Sequence, residues 1–133
     1  MKVRRMIGTA VAALGIAGAS LVAAPAAQAA SYGYQCGTQN YHLVASHRVS
    51  DATVYLTQFL NGNQYDYCVV TVWDRTFIGR VHIEAWVYDN GWGTTDSGSY
   101  TSWAGPVYAT GGLRCVAWGG VIGSDYWYGN YGC

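Results

Sequence analysis

Residues 81 to 88, VHIEAWVY, alternate with a period of two: Val81, Ile83, Ala85 and Val87 fall on one side, and His82, Glu84, Trp86 and Tyr88 on the other. Successive side chains of a strand point to opposite faces, so this stretch predicts a strand with one buried face. TVYLTQF at 53 to 59 and YCVVTVW at 67 to 73 are rich in β-branched and aromatic residues and predict two more strands. GGVIG at 119 to 123 reads as a glycine-spaced apolar strand. Asn61-Gly62, Asn90-Gly91 and Gly111-Gly112 tolerate the positive backbone angles of tight hairpin turns, the last of them between PVYAT and LRCVAW. No window combines a helical period with caps. The pattern predicts an all-β fold, a small antiparallel β-sandwich or barrel of about 7–8 strands.

The N-terminus breaks this pattern. Lys2, Arg4 and Arg5 precede an uncharged run from Met6 to Ala24 that closes at Ala27-Gln28-Ala29, the layout of a secretory signal peptide with an Ala-x-Ala cleavage site. Cleavage before Ala30 divides the chain into a leader, 1–29, and one domain, 30–133, long enough for a single core. That domain has no lysine, and Arg48, Arg75, Arg80 and Arg114 stand against seven acidic residues. Such a surface has no electrostatic footprint for nucleic acid or an anionic bilayer. No apolar run in it approaches the roughly 20 residues a membrane-spanning helix needs.

Export also sets the redox compartment. Cys36, Cys68, Cys115 and Cys133 all follow the leader, and an even number in a small exported domain predicts two disulfides. Four cysteines allow three connectivities; Cys36 with Cys68 and Cys115 with Cys133 are favoured because each closes a modest local loop. A zinc site is a poor alternative, since no Cys-x-x-Cys pair is present.

Candidate chemistry is sparse. TDSGS, Thr95 to Ser99, resembles the nucleophile segment of chymotrypsin-like proteases, and His42, His47 and His82 are available as bases. Those proteases need two barrels, and Asp, Ser and Gly in a row are expected to form a turn. Asp51, Asp66, Asp74, Asp89, Asp96 and Asp125 mostly sit beside turn signals, where Asp bonds its own backbone. Glu84 is mid-strand, beside His82 and Trp86, and a cross-strand partner on a solvated face accounts for it. His42 and His47 are five apart, a spacing that places them on opposite faces of a regular strand, and no acidic triplet resembles a calcium loop. The expectation is no catalytic set, no metal and no cofactor.

The aromatic content stands out more. All six Trp and twelve Tyr follow the leader, more rings than a core of this size requires. Trp92, in DNGWG, and Tyr126, Trp127, Tyr128 and Tyr131 are expected at the surface, where rings with a polar edge stack on sugars or pack against protein.

YTSWAGPVYATGGLRCVAWGG, residues 100 to 120, followed by VIG, YWY and a terminal NYGC, resembles the C-terminal half of the spore-associated protein A family of filamentous actinomycetes. YQCG, ATVYLT and YCVVTV are similar to that family's first cysteine and next two strands. The resemblance implies that Tyr100, Trp103, Gly105, Pro106 and Tyr108 begin one strand, and that Cys115 and Trp118 belong to the next. It also implies a secreted, extracellular, non-enzymatic protein of the spore or cell surface, with a structural or surface-interaction role and no catalytic residue to carry over. A carbohydrate-binding module, or a small inhibitor of a secreted hydrolase, is the alternative the exposed rings leave open. The corresponding partners are the spore or cell-wall surface, a polysaccharide, or another secreted protein.

Overall fold

The computed structural model describes residues 35–37, 40–75, 79–112 and 115–133. The leader expected at residues 1–29 lies outside them. Eight strands follow in order: β1 (His42–Val49), β2 (Ala52–Asn61), β3 (Gln64–Trp73), β4 (Val81–Asp89), β5 (Trp92–Tyr100), β6 (Trp103–Gly112), β7 (Val116–Ile122) and β8 (Asp125–Tyr131). They form two antiparallel four-stranded sheets, ordered β1-β2-β3-β6 and β5-β4-β7-β8. The fold is the all-β sandwich the pattern predicts.

The core lies between the sheets. Val54, Leu56, Tyr67 and Val69 of the first sheet meet Ile83, Ala85 and Val87 of the second, all fully buried. On β4 the buried positions are the odd-numbered ones, as the period of two requires. β3 does not alternate, because it is apolar on both faces. Cys68 and Val70 point away from the main core, into a second cluster with Cys36 and Tyr55, against which Tyr41 and Val72 pack. A strand buried on both sides reads as a continuous apolar run. The Cys36–Cys68 disulfide fixes the N-terminal segment over this outer face. Cys115–Cys133 joins the residue before β7 to the end of the chain. Both bridges match the local-loop pairing.

The β4–β5 hairpin turns at Asn90 and Gly91, both at positive φ, 50° and 81°, the geometry that Asn-Gly suits. The β2–β3 turn sits one residue later than Asn61-Gly62, since Asn61 pairs with Gln64 and Gly62 carries the positive φ of 64°.

Five expectations are corrected. Gly111-Gly112 is no hairpin turn: Gly112 ends β6, paired with Tyr65, while β7 lies in the other sheet. The chain there crosses from sheet to sheet. TDSGS is no turn either, for it forms the middle of β5, and Tyr100 ends that strand rather than beginning β6. A bulge between Leu43 and Ala45 inserts one residue into β1, so His42 and His47 pair with Gln58 and Val54 and share a face instead of opposing one another. Trp127 and Tyr131 pack against the core rather than lying at the surface.

Candidate functional site

The two outer faces of the sandwich differ. That of the first sheet is partly covered by the disulfide-tied N-terminal segment. That of the second sheet is bare of any described segment, and its register can be read row by row. Thr95, Trp86, Gly119 and Tyr128 make one row across β5, β4, β7 and β8, and Ser97, Glu84, Val121 and Tyr126 make the next. Tyr88 lies on the same face, its ring 6.0 Å from that of Trp86. Tyr126 and Tyr128 are 71% and 67% exposed.

Two glycines shape this face. A Cβ at Gly119 would lie 2.8 Å from Trp86 Cε2, so the indole lies across β7 where a side chain would otherwise stand. A Cβ at Gly93 would lie 2.8 Å from Tyr88 Cδ1, so that ring leans over β5. Glycine in a strand interior marks such close approach. The result is a broad aromatic surface running from Tyr88 and Trp86 to Tyr128 and Tyr126, bordered by polar groups. Tyr88 Oη and Thr95 Oγ1 are 2.6 Å apart. Glu84 Oε1 accepts from Ser97 Oγ at 2.9 Å and lies 2.7 Å from His82 Nε2. Glu84 thus has the cross-strand partner expected of it. The carboxylate stands between Ser97 and the imidazole, so Ser97 donates to Glu84 rather than to His82.

The predicted rings divide between environments. Tyr126 and Tyr128 are on the bare face; Trp92, 83% exposed, stands at the β4–β5 hairpin. Trp127 stacks on His47 at 4.1 Å and meets Trp118 edge-on at 4.6 Å, and Tyr131 packs edge-on against Tyr67. Trp86 and Tyr88 belong to the surface although no turn or glycine-rich context flagged them. Strand parity was the available signal, since both share a face with His82 and Glu84.

Where the edges of the two sheets approach, side chains substitute for a backbone ladder. Asp96 Oδ1 accepts from the Tyr100 hydroxyl at 2.5 Å, and Oδ2 from the Gly105 N–H at 2.6 Å. Thr94 Oγ1 both donates to the Tyr108 carbonyl and accepts from the Tyr108 N–H, at 2.9 Å each. The bond to Asp96 holds the Tyr100 phenol above its ordinary value, with burial and the Asp96 charge adding to the rise. A cleft of about 340 Å³ opens beside it, lined by Arg80, Thr101, Ser102 and Trp103.

A second cleft, of about 330 Å³, lies at one end of the sandwich between Gln58, Tyr65, Tyr67, Tyr131 and Gly132. Gln58 Nε2 donates to Tyr67 Oη at 3.1 Å. Burial raises the Tyr67 phenol despite that bond, and the charges of Tyr131, Asp89 and Tyr65 raise it further. Among the described residues no group of three or more His, Cys, Asp and Glu is placed to hold a metal ion.

Over 137 aligned residues the chain is 40% identical to a curated protein named Spore-associated protein A from Streptomyces coelicolor, an alignment covering 95% of this chain and 85% of that one. No family model matches, and no solved structure matches.

Proposed function

Since the chain belongs to the spore-associated protein A family, we propose that it is an exported, non-enzymatic protein of the spore or cell surface that attaches through the bare aromatic face of the β5-β4-β7-β8 sheet. One observation carries the reading: Trp86 lies across Gly119 beside Tyr128, so that rings from β4 and β8 form one surface with no covering segment described over it. Exposed rings gathered on one face mark an interaction surface more often than rings scattered singly do. The scattered arginines and net acidic balance give charge little part in the attachment.

The experiment is a pull-down of the oxidised domain, residues 30–133, with intact spores and isolated spore walls. Saturable binding that survives moderate salt, yields to detergent, and weakens about tenfold or more in Tyr126→Ala/Tyr128→Ala is expected, at about 1–1.5 kcal/mol per ring. Complete release by salt alone, or equal binding by the double variant, would overturn the reading.

Attachment to polysaccharide is the second reading. The acceptors and hydroxyls at the border of the rings, Glu84, Ser97 and Thr95, favour it, because a sugar presents an apolar face and a hydroxyl rim to such a surface. Retention on chitin or peptidoglycan, lost in the same variant, distinguishes it from protein-mediated attachment.

A further inference from the structure

The cleft at the β5–β6 connection has a fixed frame. Thr101 and Ser102 carry the chain there from the second sheet to the first. Three bonds hold that crossing: the Trp73 N–H donates to the Ser102 carbonyl at 2.8 Å, and Asp96 accepts the Tyr100 hydroxyl on Oδ1 and the Gly105 N–H on Oδ2. Asp96 and Tyr100 lie on the face of β5 opposite Thr95 and Ser97. The cleft of about 340 Å³ that they line is therefore separate from the aromatic outer face.

Arg80, immediately before β4, belongs to the same lining. Of the arginines among the described residues, Arg48 pairs with Asp74 and Arg75 with Asp51, whereas Arg80 Nη1 donates to the Ser99 carbonyl at 3.0 Å and pairs with no described carboxylate. Asp96 lines the cleft too, but its oxygens accept from Tyr100 and Gly105 and it forms no ion pair with Arg80. A carbonyl orients the guanidinium without cancelling its charge, which leaves the rest of the N–H fork to a ligand, and that fork matches a planar carboxylate. Trp103 supplies the second recognition element. It opens β6, lines the cleft and is 36% exposed. Thr101 and Ser102, both exposed, add hydroxyls to the same lining. An aromatic face takes the apolar side of a sugar ring, and hydroxyls meet its polar rim. The volume is at the low end for ligand sites, which suits one ring-sized group.

We propose that this cleft binds a carboxylate-bearing sugar residue, its carboxylate on the Arg80 guanidinium and its ring against Trp103. A uronic acid of a surface polysaccharide and the muramic acid of peptidoglycan offer the same chemistry. The site does not depend on the outer face, so Tyr126→Ala/Tyr128→Ala leaves binding here unchanged and the two readings stand or fall independently.

The test titrates the oxidised protein with methyl glucuronide and with N-acetylmuramic acid, followed by the NMR shift of the Trp103 indole N–H. Methyl glucoside and N-acetylglucosamine serve as uncharged counterparts, and acetate as the carboxylate alone. Saturable shifts with at least one sugar acid are expected, and which acid binds more tightly identifies the source. The uncharged sugars and acetate should each bind about tenfold or more weakly than that acid, and Arg80→Gln should lose the acid by a similar factor, as loss of a charged hydrogen-bond pair does. Arg80→Gln should melt with the parent, because an exposed side chain that bonds one carbonyl adds little to the fold. No saturable shift with either acid, equal binding of an uncharged sugar or of acetate, or undiminished binding by Arg80→Gln would overturn the proposal. So would a marked loss of stability in Arg80→Gln, which would mean that the guanidinium is already committed to the fold.

Discussion

Gly119→Ala tests whether the aromatic face depends on an empty position in β7. The added Cβ would sit 2.8 Å from Trp86 Cε2, and closer still to Trp86 Cζ2 and to the backbone carbonyl oxygen of Trp127. Rotating a side chain relieves only the first of these obstructions. The second requires β8 to move away from β7, where Gly120 pairs with Trp127. Overpacking against both ring and backbone places the cost in the upper part of the usual range, about 2–3 kcal/mol. Alanine restricts the unfolded chain more than glycine does, which offsets about 0.4–1 kcal/mol of it. The net loss is about 1–2.5 kcal/mol, or a fall in Tm of roughly 5–15 °C for a domain of this size.

Gly98→Ala supplies the internal comparison. There the three atoms nearest the new Cβ all belong to the Tyr100 ring, at 2.9 to 3.2 Å, and none to the backbone. The variant should lose clearly less than Gly119→Ala, since a side chain rather than a backbone carbonyl has to yield. Thermal unfolding by circular dichroism gives both values, and the near-ultraviolet spectrum reports the displaced indole in Gly119→Ala. If Gly119→Ala melted with the parent, or Gly98→Ala fell further, the contact of Trp86 with bare backbone would not be what organises this face.

Two further outcomes follow from the bridges and the sheet edge. In the chain-entropy account the Cys36–Cys68 bridge, spanning 32 residues, adds about 3.5–4 kcal/mol, and Cys115–Cys133, spanning 18, about 3 kcal/mol. Since the first also holds cover over Tyr55 and Val70, the Cys36→Ser/Cys68→Ser variant should unfold at lower guanidinium concentration than Cys115→Ser/Cys133→Ser; the reverse order would refute this. Tyr100 titrates above its ordinary 10.0 because its hydroxyl donates to Asp96. A raised folded-state value means that its contribution is fully present below pH 10.0 and is lost as pH rises through the folded value. Stability at high pH should therefore decline less steeply in Tyr100→Phe than in the parent, and ultraviolet titration should lose one late-ionising phenol; identical alkaline profiles would count against the bond.

The elements that could be read from residue order share a physical basis. β4 was legible because its alternation is local and its inner face is apolar throughout Val81 to Val87. Asn90-Gly91 was legible because its backbone angles depend on those two residues. The bridges followed from short loops. The turn composition of TDSGS is overruled by neighbours distant in sequence: Asp96 reaches the Gly105 N–H in another sheet, and β4 pairs with the whole of β5. Asp89 has the sequence context of a turn acid, since it precedes Asn90, yet parity places it on the inner face with Val87.

The binding surface followed the same rule. Proximity to turns and glycines grouped Tyr126, Trp127, Tyr128 and Tyr131, yet a strand alternates, and β8 sends the first and third outward and the other two against the core. Even with parity applied, nothing in residue order puts Tyr128 and Trp86, 42 positions apart, in one row on either side of Gly119. Backbone angles, alternation and short-loop closure are set by near neighbours, and the chain carried them openly. Sheet membership, the bulge in β1 and the place of the Trp86 indole over Gly119 arise from pairing and packing between distant segments, whose energies are decided only once the sandwich closes.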